Sequence, residues 1–242
     1  KEKGKYDWSW TDKTAKKLTE AGVELKWNIN SYNRLSGERK KKAADMEGYL
    51  NFLSAAIERY DGDGIDDAPG SPIITYWQIG NEPDGNFWED SPENFAELLK
   101  ESIVIIKEAN PNAKVVIGGA WFPKGYYDFY LDVFAEFLES DTFFDVMDFH
   151  WYENAWDYAV HPIGRHNLVE FMEDLKSTLS KYGDIEIWMT EVWTHSWNDV
   201  AGRWPQTEFD HASEILKRYV HFIANGVDKV FWCNMIEGAS YS

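Results

Sequence analysis

The fold is decided by one stretch, YWQIGNEP at residues 76–83. It continues an apolar run, residues 73–79, which predicts a strand that is buried on both faces. Gly80 stops the run, and Pro83 blocks its continuation because proline has no N–H to give to a neighbouring strand. Glu82 is therefore predicted at the carboxyl end of a buried parallel strand, where barrel enzymes carry their chemistry.

A second stretch, IEIWMTE at residues 185–191, has the same form and ends in Glu191. Two carboxylates on different strands of one barrel can face each other across its mouth. If one is protonated and the other ionised, the pair can cleave a glycosidic bond. The acid protonates the leaving oxygen, and the carboxylate attacks the anomeric carbon or activates water. For either glutamate taken singly, a solvated loop carboxylate or an ion pair is an equally good interpretation.

Strands and helices are predicted to alternate along the whole chain. The apolar strand-like runs are residues 23–29, 73–79, 114–118, 145–149, 185–191 and 229–233. Helical patterns separate them, which is typical of a parallel sheet covered by helices. We interpret the chain as an α/β protein, a (β/α)8 TIM barrel covering about strands 3 to 8. A doubly wound open sheet is the alternative, although the glycine-rich phosphate loop typical of it is not found.

The predicted organisation is a single catalytic barrel domain, residues 1–242, incomplete at both ends. Thr11 is expected to cap the first helix. The apolar stripes predict which helical residues face inward. Among them are Leu131 and Leu138 in the helix near residues 127–138, and Leu216 and Ile223 in the last helix.

The composition limits the classes of partner. A net charge of −18 argues against nucleic acid or an anionic membrane as a partner. No apolar run approaches the roughly 20 residues that span a bilayer. The single Cys233 excludes an internal disulfide. The 13 Trp residues indicate either a large core or stacking surfaces for flat ligands such as sugar rings.

Four ordered motifs resemble those of clan A retaining glycoside hydrolases, of a family 39-like or family 5-like type. WQIGNEP at residues 77–83 resembles the strand-four Asn-Glu-Pro motif, and FHWY at residues 149–152 resembles the strand-six His-x-Tyr. WMTE at residues 188–191 is similar to the strand-seven segment, and FW at residues 231–232 to the strand-eight segment. By this register the chain lacks the first βα units, which carry a supporting arginine in that clan.

The resemblance implies a role for each motif residue. Glu82 would be the acid/base and Glu191 the nucleophile of a reaction that proceeds with retention. Asn81 would bind the sugar 2-hydroxyl, His150 would line the site, and Tyr152 would hydrogen-bond the nucleophile. A satisfied core histidine and a packing aromatic are the alternative interpretations of His150 and Tyr152.

Three tryptophans are candidates for sugar stacking. The resemblance implies that Trp232 floors the sugar subsite, although core packing explains its place in an apolar strand equally well. Trp121 and Trp193 come just after strand ends and could stack on sugars. Packing within their loops is the alternative.

The implied substrate is an oligo- or polysaccharide, and no cofactor is implied. The histidines form no HxH or HExxH pattern, so a catalytic metal is not expected. The acidic loop at residues 61–72 fails the EF-hand pattern because Ile65 stands at the fifth position, so a turn-rich connection is preferred to a calcium site.

The chain begins at Lys1, so targeting cannot be judged from it. A polysaccharide substrate would favour an extracellular or periplasmic location. The alternative function is a non-catalytic carbohydrate-binding or structural barrel of the same fold. A metal-dependent hydrolase would need a ligand cluster that the sequence does not show.

Overall fold

Helices and strands alternate in the computed structural model, which describes residues 3–31, 40–121, 125–151, 168–192 and 207–233. The helices are α1 (Ser9–Glu20), α2 (Met46–Arg59), α3 (Pro92–Ala109), α4 (Leu131–Ala135), α5 (Leu168–Leu179) and α6 (Glu208–Ala224), and a π-helical turn, Tyr126–Tyr130, directly precedes α4. The strands are β1 (Lys26–Ile29), β2 (Tyr76–Ile79), β3 (Lys114–Ile117), β4 (Val146–His150), β5 (Glu186–Val192) and β6 (Lys229–Trp232).

The six strands of the described ranges form one parallel sheet in chain order, β1 to β6. The sheet curls, because side chains of strands that are not neighbours meet on its concave face. The ring centroids of Tyr76 on β2 and Trp188 on β5 are 4.5 Å apart. Lys229 Nζ on β6 lies 3.1 Å from Glu24 Oε2, just before β1. The predicted partial (β/α)8 barrel is confirmed, and the order lacks the reversal of a doubly wound sheet.

The two faces of the sheet carry different sets of side chains. The outer face packs against the helices in the main core, which includes Trp77, Ile79, Val115, Ile117, Met147, Phe149, Ile187 and Met189. The inner face carries a small separate cluster of Val116, Val146 and Trp188, with Tyr76 and Phe231 against it. Because side chains alternate along a strand, Gln78 and Asp148 also lie on the inner face, and both are fully buried.

The first helix begins earlier than predicted. Trp8 precedes its first residue, Ser9, and makes no capping hydrogen bond through its side chain. Thr11 lies inside the helix instead of capping it, and its hydroxyl donates to the Trp8 carbonyl at 2.9 Å. The short polar side chain thus satisfies a backbone group locally, which is what makes such residues look like caps in a sequence.

The first two strands begin later than their apolar runs. Ile73 is 50% exposed, so the predicted burial on both faces fails at the start of that run, and Val23, at the start of the first run, is 48% exposed. The N–H of Ile74 bonds to the Tyr60 carbonyl at 2.8 Å, outside the strand ladder. The apolar residues that precede each strand therefore belong to the connections from the helices.

The inward face predicted around residues 127–138 was wrong at two positions. Leu131 is 38% exposed and Leu138 is 65% exposed. The π-helical turn adds a residue to the helical repeat and so rotates the buried stripe. The residues that face inward are Tyr126, Tyr130, Val133 and Phe134.

The inward face predicted for the last helix was also wrong at two positions. Leu216 is 67% exposed and Ile223 is 58% exposed. The buried stripe of α6 holds Glu214, Arg218 and Phe222. Arg218 takes a buried position because it donates from Nη1 to the Trp151 carbonyl at 3.4 Å, outside the helix, and its Nε lies 3.8 Å from Glu214 Oε2. Within the described ranges, none of the helices is long and apolar enough to cross a membrane.

A hydrogen-bonded group joins α1 to the end of α2. Arg59 donates from Nε to Asp12 Oδ1 at 2.9 Å and from Nη2 to Asp12 Oδ2 at 2.7 Å. The Tyr60 hydroxyl donates to Asp12 Oδ1 at 2.7 Å. The hydrogen bonds from Arg59 hold the pKa of Asp12 below its usual value. The ionised carboxylate is therefore favoured in the folded state.

We expect Asp12→Asn to lower the free energy of unfolding by about 1–2 kcal/mol at about pH 7, as for a paired charge that loses its hydrogen bonds. Because the pKa of Asp12 is depressed on folding, its contribution is present above the unfolded-state pKa and is lost as the pH falls through the folded-state pKa. Urea unfolding of both proteins from neutral to strongly acidic pH measures this.

The matched control is Glu20→Gln, because Glu20 makes a looser, exposed pair with Lys16 at 3.9 Å. Its loss should change the free energy of unfolding by less than about 0.5 kcal/mol. Equal effects of the two substitutions, or a difference for Asp12→Asn that persists in acid, would contradict the assignment.

Candidate active site

Glu82 is presented by a sharp turn directly after β2. Gly80 and Glu82 both have left-handed backbone conformations, with φ of 76° and 42°. Glycine adopts this region freely, whereas another residue pays about 1–2 kcal/mol for it. The turn buries the Glu82 side chain, which is only 11% exposed. Strain of this kind is often found at functional positions, because the surrounding structure must maintain it.

His150 ends β4 and holds the Glu82 carboxylate. Its side chain is fully buried, and its Nδ1 lies 2.7 Å from Glu82 Oε1. The imidazole fits because β3 is followed by Gly119, where a Cβ atom would lie only 2.2 Å from His150 Nε2. The glycine therefore makes room for the ring under the Glu82 turn.

Glu191 is brought to His150 by an irregularity in β5. The pairing of β4 and β5 is regular up to Met189, after which His150 pairs with Glu191 and Thr190 is skipped. Met189 and Val192 both pack in the core beneath the helices, with two residues between them instead of one. Such a bulge lets Thr190 and Glu191 both turn away from the helix layer.

The two glutamates and the histidine meet at one point. One carboxylate oxygen of Glu82, one of Glu191 and a ring nitrogen of His150 all lie within 4.8 Å of one another. His150 Nδ1 is 3.7 Å from Glu191 Oε2. These groups are also of the types that bind metals. In the structure His150 Nδ1 is hydrogen-bonded to Glu82, so the arrangement is a hydrogen-bonded group of two carboxylates and an imidazole.

The surroundings of His150 favour its protonated form. Burial lowers the pKa of His150, but the hydrogen bond to Glu82 and the charges of Asp148 and Glu191 raise it, and the net effect is a raised pKa. The imidazole thus keeps its proton to higher pH than a free histidine. It can then donate from Nδ1 to the Glu82 carboxylate.

Asn81 and Trp121 lie beside this group. Asn81 Oδ1 is 3.4 Å from Gln78 Nε2 and 3.4 Å from Asn28 Nδ2. Trp121 is 50% exposed. Its ring lies beside Gly85, because a Cβ atom on that glycine would be 3.4 Å from the Trp121 ring. Both residues therefore border the Glu82 turn, one on the β1 side and the other on the β3 side.

Trp232 is the remaining aromatic candidate that the structure describes. Trp232 is half-buried and packs against α6, where its ring centroid lies 5.6 Å from that of His211 and 6.5 Å from that of Tyr219. These contacts are those of the core-packing alternative, and the sugar-platform role of Trp232 stays a prediction. Tyr152 and Trp193 lie outside the described residues.

Asp84 is a site residue that the sequence reasoning missed. Both of its carboxylate oxygens accept from the N–H of Trp121, at 3.0 and 2.9 Å. Burial raises the pKa of Asp84 to about 6, and the charge of Glu82 adds to the rise. The available signal was its position two residues after Glu82, in the same loop.

Two charged residues inside the barrel were also missed. Asp148 is fully buried in the middle of β4, and burial raises its pKa. Lys26 on β1 hydrogen-bonds to Gln78, and burial lowers its pKa. A charged residue within an apolar strand was the signal in both cases, because such residues are rarely buried without a partner.

A separate acidic group lies at the opposite end of the sheet, in the connection from α2 to β2. Carboxylate oxygens of Asp61, Asp63 and Asp67 lie within 4.8 Å of one another. Each also accepts a backbone N–H of the loop: Asp61 from Asp63 at 3.2 Å, Asp63 from Ile65 at 2.8 Å and Asp67 from Gly64 at 3.1 Å. These bonds are those of a turn-rich connection.

Several solved structures share the fold. A glucosidase from Croceicoccus marinus is 17% identical with a TM-score of 0.72, over 96% of this chain and 46% of that chain. A family 39 glycoside hydrolase from Bacteroides cellulosilyticus is 18% identical with a TM-score of 0.68, over 95% of this chain and 47% of that chain. An endoglucanase from Thermotoga maritima is 15% identical with a TM-score of 0.61, over 96% of this chain and 71% of that chain.

This chain spans about half the length of the first two of these proteins. At such identities the likeness shows the fold. No curated protein sequence matches the chain. A family model described as glycosyl hydrolase catalytic core matches residues 4–237. The match covers nearly the whole sequence, and the chain therefore belongs to the glycosyl hydrolase catalytic core family.

Proposed function

We propose that this protein is a retaining glycoside hydrolase of clan A that cleaves O-glycosidic bonds in an oligo- or polysaccharide. The observation that carries the proposal is that one carboxylate oxygen of Glu82 and one of Glu191 lie within 4.8 Å of each other. Retaining enzymes hold their two carboxyl groups about 5–5.5 Å apart, whereas inverting enzymes leave about 6.5–9.5 Å for a water molecule. The short separation supports the retaining mechanism, and the family membership supports hydrolysis.

In the first step, Glu191 forms a bond to the anomeric carbon while the bond from that carbon to the leaving oxygen breaks. Glu82 gives its proton to the leaving oxygen, so the departing sugar leaves as a neutral alcohol. Glu191 suits the nucleophile role because its side chain is 30% exposed and can reach a bound sugar. Glu82, at 11% exposed, is the more shielded of the two.

In the second step, the ionised Glu82 takes a proton from water, and the water oxygen attacks the anomeric carbon and releases Glu191. Between the steps Glu82 carries a negative charge in a buried place. The His150 Nδ1 at 2.7 Å can stabilise that charge by donating a hydrogen bond. The histidine therefore supports the form of Glu82 that is needed as a base.

Asn81 and Trp121 are the proposed substrate contacts among the described residues. Trp121 lies along the loop that carries Glu82, and Glu82 acts on the leaving oxygen. A sugar stacked on Trp121 would therefore lie on the leaving-group side of the scissile bond. Asp84 would hold this platform in place through the N–H of Trp121.

We expect Glu191→Ala to lower kcat of the full-length protein by about 10⁴-fold or more, since the nucleophile is lost. Glu82→Ala should lower the hydrolysis of unactivated glycosides by about 10²–10⁴-fold, the usual contribution of an acid–base group. It should spare the first step for substrates with good leaving groups, and azide should restore turnover by yielding the glycosyl azide. Steady-state kinetics on chromogenic glycosides measure all three effects.

The matched control is Glu186→Gln. Glu186 lies on the same strand as Glu191 but at its opposite end, where it accepts from Trp188 Nε1 at 2.7 Å. Its substitution should leave kcat unchanged. If neither Glu191→Ala nor Glu82→Ala alters hydrolysis, the assignment is wrong. Oligosaccharide binding without hydrolysis by the wild-type protein would instead favour the non-catalytic barrel.

We expect Trp121→Ala to raise KM for oligosaccharides by about 5- to 10-fold, the loss of one aromatic stacking contact, with a smaller change in kcat. Trp10→Ala is the control, because Trp10 on α1 is 71% exposed and its ring is likewise open to solvent. Michaelis–Menten kinetics on oligosaccharides of increasing length compare the two variants. Equal KM values for Trp121→Ala and the wild-type protein would remove Trp121 from the binding site.

A further inference from the structure

Asp148 lies beneath the two glutamates and has no direct contact with either of them among its described hydrogen bonds. Its Oδ1 accepts the N–H of Thr190 at 3.0 Å, and its Oδ2 accepts the Thr190 hydroxyl at 2.6 Å. Asp148 Oδ2 is also 3.9 Å from His150 Nε2. The carboxylate acts as an acceptor toward Thr190 at both oxygens, as an ionised carboxylate does.

Each of these two contacts leads to one of the glutamates. Thr190 directly precedes Glu191 and is the residue skipped in the pairing of β4 with β5. His150 reaches Glu82 at 2.7 Å through the other side of its ring. The hydrogen bond from the Thr190 N–H to Asp148 lies at this irregularity and holds the conformation that presents Glu191.

We propose, on the basis of the retaining function above, that Asp148 is a positioning residue for the reaction and acts on Glu191 through Thr190 and on Glu82 through His150. One buried carboxylate thereby positions both glutamates of the catalytic pair. The reacting atoms of the substrate are not touched by Asp148 in this assignment.

The imidazole of His150 lies between acidic groups on both sides. At Nδ1, Glu82 Oε1 is 2.7 Å away and Glu191 Oε2 is 3.7 Å away. At Nε2, the Thr190 hydroxyl is 3.4 Å away and Asp148 Oδ2 is 3.9 Å away. Among the other described groups, the charge of His150 lowers the pKa of Asp84, and the charge of Lys26 lowers that of Asp148. The charges of Asp84, Asp148 and Glu82 raise the pKa of Tyr130, whose hydroxyl donates to the Gly118 carbonyl.

The charge of Asp148 has a predictable effect on the proton of His150. A negative charge near an imidazole favours its protonated form, and Asp148 is one of the groups that raise the pKa of His150. Neutralising Asp148 must therefore let His150 lose its proton at lower pH. The imidazolium charge beside Glu82 would then be lost at lower pH, and the pH profile of kcat/KM should change with it.

The test is Asp148→Asn in the full-length protein, which keeps the shape and removes the charge. We expect kcat to fall by about 10- to 100-fold, as for a small displacement of catalytic groups, with KM little changed. The pH profile of kcat/KM should differ from that of the wild-type protein. The NMR titration of the His150 ring should shift to lower pH, and this second readout does not depend on turnover.

The matched control is Asp145→Asn. Asp145 directly precedes β4, three residues from Asp148, where it accepts from Lys107 at 2.8 Å, Lys114 at 2.9 Å and the Val115 N–H at 2.8 Å. This variant should lose stability but keep the wild-type pH profile. If Asp148→Asn behaves in the same way, with an unchanged His150 titration, Asp148 is merely structural and the proposal is overturned.

A second pair of variants keeps the proposal testable if Asp148→Asn does not fold. Thr190→Val removes the hydroxyl that links Asp148 to His150 and should lower kcat, whereas Thr190→Ser keeps the hydroxyl and should restore it. Equal kcat values for Thr190→Val and Thr190→Ser would contradict the proposed link from Asp148 through the Thr190 hydroxyl to His150. Absence of hydrolysis by the wild-type protein would overturn the proposed function, whereas the His150 titration still decides whether Asp148 acts on the imidazole.

Discussion

A buried hydrogen bond between His150 and Glu82 is the interaction on which the rest of the site depends. The histidine is fully buried, so both ring nitrogens must find partners inside the protein. One side meets Glu82, and the other faces Thr190 and Asp148. The left-handed turn at Glu82 and the bulge at Thr190 are local departures from regular structure that both direct groups toward this ring.

The elements that carry the site were predictable because they follow simple physical rules. Parallel strands covered by helices need apolar residues on both faces, so the strands were visible as apolar runs. A glycine and a proline mark the end of β2, so the position of Glu82 after that strand was visible too. Glu191 was found in the same way, as the first acid at the end of the apolar part of β5.

What could not be predicted depends on contacts between strands. The bulge that pairs Glu191 with His150 leaves no mark in the sequence, because register is set by both strands together. Asp148 interrupts an apolar run, but its partners come from β5 and from the end of its own strand. Leu216 was placed on the wrong face because charged residues of α6 occupy the buried stripe. Each of these errors arose where a tertiary contact overrides a local preference.

The barrel therefore places its polar chemistry in layers above an apolar base. Val116, Val146 and Trp188 fill the lower interior, and Asp148, Thr190 and His150 stand between them and the two glutamates. The proposed retaining action of Glu82 and Glu191 is tested most directly by following the anomeric configuration of the first product by NMR during hydrolysis. A retaining pair yields a first product with the anomeric configuration of the substrate. A first product of inverted configuration would contradict the assignment of Glu82 and Glu191.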